Sequence, residues 1–396
     1  MTGRTHRHVI VARRYQGLAG EADGYASPGT GSRSCEPSII VTRHRSPHLI
    51  LAVALLLAMA GDAVGASPIN SCLETIKTPT PVTAVHIQPD SGAQPILDEI
   101  NNARCTIDLS MYLLTAQEIL DALEGAVDRG IRVRVILEQE PFGTFGTQQE
   151  MFDRLTGIGA EVRWGADAFV FSHAKYMIID TSVLVVTNQN FTGAGFNSNR
   201  EFGLVTTEGG YVSEAVAIFE ADWTGSDIGI EPRHLVVSPL NSRSTILSLI
   251  NGSTESVWMY SEVLRDEEIT AALSAAADRG VDVRILVNPS ADEEDVPYFL
   301  EALGHGVQIR VLRVPYVHSK VIIVDGQEAL VGSQNYSFTS LDLNREVGIV
   351  IDDAHNVDKI LAIYERDWSR AEPVDTVSRV RNTLVANRLD SNGHDW

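Results

Sequence analysis

A chain of 396 residues with 44% hydrophobic content can bury a large core, as one big domain or two of ordinary size. Its 52 Asp and Glu outnumber 31 Lys and Arg, a net charge of −21, which leaves out the basic footprint of a duplex-binding protein. Only four lysines occur, Lys77, Lys175, Lys320 and Lys359, and such an acidic, lysine-poor surface suits a salty milieu.

The first 66 residues read as an export leader. Residues 49–60 (LILAVALLLAMA) form an apolar run, short for a membrane span, with Arg43 and Arg45 before it and Val64-Gly65-Ala66 after it. That order predicts cleavage near Ala66, a mature chain starting near Ser67, and a secreted or cell-envelope protein. The preamble is longer than such a leader needs, and initiation at Val41 would shorten it. Residues 67–81 read as a linker. Of the three cysteines, Cys72 and Cys105 lie beyond the leader and could form one disulfide outside the cytoplasm or remain two free thiols. No Cys and His cluster has metal-ligand spacing, so neither metal nor cofactor is expected.

The rest of the chain is a repeat. Ile96 opens ILDEINNARCTIDLSMYLLTAQEILDALEGAVDRGIRVRVILE, and Ile246, 150 residues on, opens ILSLINGSTESVWMYSEVLRDEEITAALSAAADRGVDVRILVN. Each copy predicts a helix of 3.6-residue period, a strand (106–110 or 256–260), a helix stopped by Gly130 or Gly280, and a strand (132–137 or 282–287). This alternation argues for two tandem α/β domains, 82–228 and 232–372, joined by a linker at 224–232 and followed by a polar tail, 373–396.

Each half then carries the same short motif. FSHAKYMIID (171–180) and VHSKVIIVD (317–325) both read His, any residue, Lys, four residues, Asp, giving His173, Lys175 and Asp180 and then His318, Lys320 and Asp325. Thr187-Asn188-Gln189-Asn190 follows the first and Gly332-Ser333-Gln334-Asn335 the second. Asn-Arg-Glu closes both, with Glu201 and Glu346 each 28 residues after their histidine. Alternation puts each His and its Lys on one face. Lysine supplies a point charge for a phosphate, and Asn a neutral amide donor. Histidine can attack phosphorus or move protons near neutral pH, and a carboxylate behind it would fix its tautomer. Glu262, at a strand end, could reach the site but reads rather as solvated, and a polar loop accounts for Asn188 and Thr187 as well as a role in the site does.

The paired HxKxxxxD motifs, with GSQN and NRE downstream, resemble the phospholipase D superfamily over residues 82–370. The resemblance implies two α/β domains related by a pseudo-two-fold axis, with mixed sheets flanked by helices and one active site at their interface. It implies metal-free phosphodiester cleavage through a covalent phosphohistidine. One of His173 and His318 attacks, with His173 favoured, and the other protonates the leaving group; water or an alcohol then releases the product. Lys175, Lys320, Asn190 and Asn335 would hold the phosphate with help from Ser333. Glu201 and Glu346 would orient the histidines, and Asp180 and Asp325 would support the local structure. TNQN departs from the family's Gly-Ser and leaves Asn188 without an assured substrate contact.

The leading expectation for substrate is a phosphatidyl ester at a membrane surface, hydrolysed or transferred, with an exported nuclease as the alternative and a non-catalytic phosphate binder third. The acidic balance and the apolar loops GADAFVFS and RVLRVPYV ahead of the motifs favour the lipid. Residues 141–147 (PFGTFGT) and 169–171 (FVF) could rim an acyl-chain site. A monomer with an internal pseudo-dimer is expected, with no protein partner.

Overall fold

A computed structural model describes residues 68–142, 148–226, 229, 231–290 and 294–374. The expected leader with its cleavage point, residues 143–147 of the proposed rim and the tail beyond Val374 lie outside the described residues. The described residues form one compact unit.

The first half supplies β1 (Thr83–Gln88), β2 (Thr106–Met111), β3 (Arg132–Leu137), β4 (Glu161–Trp164), β5 (Tyr176–Ile179), β6 (Val183–Thr187) and β7 (Asn199–Thr206). The second supplies β8 (Leu235–Ser238), β9 (Ser256–Ser261), β10 (Leu264–Arg265), β11 (Asp282–Val287), β12 (Gln308–Val311), β13 (Tyr316–Val317), β14 (Lys320–Val324), β15 (Glu328–Gly332), β16 (Tyr336–Ser337), β17 (Glu346–Ile351) and β18 (Glu372–Val374). The strands lie in the order β1-β7-β6-β5-β2-β3-β4 in one sheet and β8-β17-β15-β14-β9-β11-β12-β18 in the other. The repeat read in the sequence is therefore a repeat of topology. The second sheet extends through Val374 by pairing β18 with β12.

Both sheets are mixed for the same local reason. The helices Gln117–Asp128 and Glu267–Asp278 carry the chain from β2 to β3 and from β9 to β11, and such crossovers leave their strands parallel. Tight turns after β5 and β14 instead give antiparallel hairpins, β5 with β6 and β14 with β15. The turns need left-handed backbone, φ +51° at Asp180 and Thr181 and +52° at Asp325. At Asp180 the carboxylate accepts the amides of Arg104, Cys105 and Thr106 at 2.7 to 2.9 Å, which holds this turn against the start of β2. Asp325 does the same for the amides of Thr254, Glu255 and Ser256.

One apolar cluster is common to both halves. It joins Tyr176, Ile178, Phe202 and Leu204 to Val321, Ile323, Val347 and Ile349, with Phe219 and Trp223 from the helix Gly209–Thr224 and Tyr364 and Trp368 from the helix Ala354–Arg370. Two further clusters fill the outer layer of each half separately. The short helix Pro68–Leu73 buries no residue, and a disulfide between Cys72 and Cys105 ties it to the start of β2.

Candidate active site

The two halves meet along the segments that carry the motifs. Before His318, β13 pairs in parallel with the start of β7, matching Tyr316 with Asn199 and Val317 with Arg200. Before His173, Ser172 bridges Arg345 beside the start of β17, and the His173 amide donates to the Arg345 carbonyl at 2.9 Å. Each histidine thus lies beside the Asn-Arg-Glu segment of the other half.

The consequence is an exchange of carboxylates. His173 Nδ1 is 2.8 Å from Glu346, and His318 Nδ1 is 2.6 Å from Glu201. Glu346 and Glu201 have no exposed surface. Ser340 Oγ and Asn344 Nδ2 donate to Glu346 at 2.6 and 3.1 Å, so this carboxylate is fixed from three directions. Burial works to raise the Glu346 pKa, but the facing His173, with Lys175 and the Ser333 hydroxyl, outweighs it and the net direction is down. Glu201 makes a close ionic approach to His318 rather than an aligned hydrogen bond. Burial lowers the His173 pKa more than Glu346 raises it, and Lys175 and Lys320 add to the lowering. His173 is therefore the neutral imidazole that a nucleophile requires.

The lysines lie against their histidines, with Lys175 Nζ donating to the His173 carbonyl at 2.8 Å and Lys320 Nζ to the His318 carbonyl at 2.6 Å. Burial pulls the Lys175 pKa down to about 7, with the field of Lys320 from the other half contributing. Charges of both halves act on one another here, so the two half-sites form one site.

Of two further side chains at this site, Tyr112 escaped the sequence reading and Glu262 was weighed for the site but read as solvated. The Tyr112 ring packs edge-on against His173 with centroids 4.4 Å apart, and Lys175 Nζ lies 4.9 Å from the Tyr112 ring centroid. Glu262, read as a solvated strand end, instead turns inward. One carboxylate oxygen pairs with Lys320 Nζ and the other lies 3.3 Å from His318 Nε2. Burial favours its neutral form, but the charges of His318 and Lys320 prevail and set its pKa at about 2. The signal was present in the repeat: Tyr112 and Glu262 stand 150 residues apart, at matching places beyond β2 and β9.

Asn190 and Asn335 are half-buried, each with a buried, unpartnered carboxamide oxygen. Ser333, expected to help bind phosphate, has no exposed surface, and its hydroxyl accepts the Val347 amide at 3.1 Å. Asn188 takes the same position in the first half, accepting the Phe202 amide at 2.6 Å. Its longer side chain also donates to the Gly332 and Lys320 carbonyls at 3.1 and 3.3 Å. Asn188 thus stitches the halves together, which accounts for the departure from Gly-Ser. The segment 169–171, expected at an apolar rim, also joins them: the Val170 amide donates to the Leu343 carbonyl and the Arg345 amide to the Phe171 carbonyl.

The arginines of the two Asn-Arg-Glu segments cross the interface as well. Arg200 pairs with Asp367 at 2.6 Å and Arg345 with Asp222 at 2.9 Å, each aspartate lying near the end of the other half's long helix. These aspartates also escaped the sequence reading, although they are 145 residues apart, like the histidines.

A family model described as a cardiolipin synthase, phospholipase D-like domain, matches residues 96–223 and 246–368, which takes in both histidines, both lysines and both glutamates. The chain belongs to the phospholipase D superfamily. It is a phosphodiester-modifying enzyme of that superfamily. It is 27% identical over 365 residues to the cardiolipin synthase 2 of Bacillus anthracis, spanning 81% of this chain and 69% of that protein. It is 26% identical over 360 residues to the cardiolipin synthase of Geobacillus thermodenitrificans, spanning 78% and 71% respectively. The phosphatidylserine synthase of Haemophilus influenzae shares the superfamily fold, with a TM-score of 0.58 at 12% identity over 74% of this chain and 88% of that one.

Proposed function

We propose that this phospholipase D superfamily member transfers a phosphatidyl group between alcohols through a phosphohistidine, with water as a competing acceptor. The observation that carries the proposal is the pair of imidazoles whose Nδ1 atoms are held by carboxylates from opposite halves, which leaves Nε2 of each for chemistry. In the first step His173 Nε2 bonds to phosphorus as the bond to the leaving oxygen breaks, and that oxygen takes the proton from His318. In the second, an acceptor hydroxyl attacks phosphorus and gives its proton back to His318 as the phosphorus–nitrogen bond breaks. Lys175 and Lys320 supply the charge that offsets the phosphoryl oxygens, with Asn190 and Asn335 beside them.

The cardiolipin synthase relatives favour a lipid alcohol as acceptor. The acidic balance disfavours a nucleic-acid backbone. Exposed apolar side chains support an interfacial substrate. Phe142, 72% exposed, donates its amide to the Tyr112 hydroxyl, and Val314, 80% exposed, precedes His318 by four residues. No helix among the described residues is long and apolar enough to cross a membrane. An enzyme of the cell envelope or of the medium is part of this reading, which the Cys72–Cys105 disulfide and the apolar run of residues 49–60 support.

Incubation with phosphatidylglycerol vesicles, followed by lipid chromatography, tests the reading. Cardiolipin and free glycerol are the expected products, and both vanish in His173→Ala and in His318→Ala. Phosphatidic acid as sole product would make the enzyme a hydrolase. Cleavage of single-stranded DNA with no lipid product would overturn the lipid assignment.

A further inference from the structure

The two half-sites differ in what faces the histidine nitrogen that does chemistry. β2 and β9 deliver their next residues to equivalent points, but one residue is a tyrosine and the other a glutamate. Beside His173 the Tyr112 ring adds bulk and no charge. Beside His318, Glu262 places a carboxylate oxygen 3.3 Å from Nε2, while Glu201 lies 2.6 Å from Nδ1. Among the described residues, His318 is thus flanked by carboxylates on both nitrogens, and His173 only on Nδ1.

We propose that Glu262 is a positioning residue that holds a proton on His318 Nε2, and so makes His318 the acid and leaves His173 the nucleophile. The inference rests on the phosphohistidine reading above. The charged groups around the His318 ring are Glu201 from β7, Lys320 from β14 and Glu262 after β9, with His173 and Lys175 facing from the first half. Both cations oppose a further positive charge, and the second carboxylate offsets Lys320. Glu262 stays ionised through the cycle. It steadies the proton until the leaving oxygen takes it, and again after the acceptor hydroxyl returns it.

The test compares Glu262→Gln, Glu262→Asp and Glu262→Tyr, the last restoring the first half's residue. For phosphatidylglycerol, the alkaline limb of the pH–rate profile should move to lower pH by about one unit in the Gln and Tyr variants, and stay in place in the Asp variant. The loss of rate should be at least tenfold greater for this alkyl leaving group than for a nitrophenyl diester, whose leaving group departs without a proton. Equal losses on both substrates with an unmoved limb would show a structural role and overturn the proposal. If the wild-type enzyme turned over neither diester, the transfer reading would fall instead. The His318 ring signal followed by NMR over pH would then decide, and the same midpoint in wild type and Glu262→Gln would overturn the inference.

Discussion

Lys175 shows at the scale of one residue how function works against stability. It has no exposed surface, and burial pulls its pKa from an ordinary 10.5 to about 7. A depressed lysine opposes folding fully below the folded value, where the buried amine must be charged, and ceases to do so above the unfolded value. Stability should therefore rise with pH between about 7 and 10.5 on account of this group. Lys175→Met is expected to raise the melting temperature more at pH 6 than at pH 9, while lowering kcat/KM by about two to three orders of magnitude. An equal change at both pH values would contradict the assignment. The role of Lys175 was legible because lysine is so scarce here and the motif recurs. That of Glu262 was not, because an acidic residue after a strand reads alike whether it meets water or a buried lysine.

At the scale of elements, the long helices lock the halves together through buried ion pairs. Arg200 and Asp367 have almost no exposed side-chain surface, and the Tyr260 hydroxyl donates to the same carboxylate at 2.9 Å. Removing one partner strands a buried charge, so Asp367→Ala should cost about 3–5 kcal/mol in chemical denaturation. Glu372→Gln, which breaks the exposed pair with Arg313, should cost under about 1 kcal/mol. Similar costs for the two would show that the crossed pair does not hold the interface. The strands β2, β3, β9 and β11 were legible from period and stop signals, each beginning where the pattern placed it. The crossing was not. Which Asn-Arg-Glu segment meets which histidine depends on strand register between distant parts of the chain, and the equal 28-residue spacing within each half is silent on that exchange.

For the whole molecule, the shared apolar cluster and the exchanged glutamates make two similar halves into one enzyme with one site. The doubled motif made that architecture legible, while what the Tyr112 and Glu262 side chains touch emerged from the packing. The most direct test uses the His318→Asn variant, in which the covalent intermediate should form and fail to discharge. With a phosphatidyl nitrophenyl diester labelled at phosphorus, whose leaving group departs without a proton, and an alkaline quench, one label per chain is expected at His173, and none in His173→Asn. Two labels per chain, one on each histidine of the wild type, or no label on either, would contradict a single site shared by the two halves.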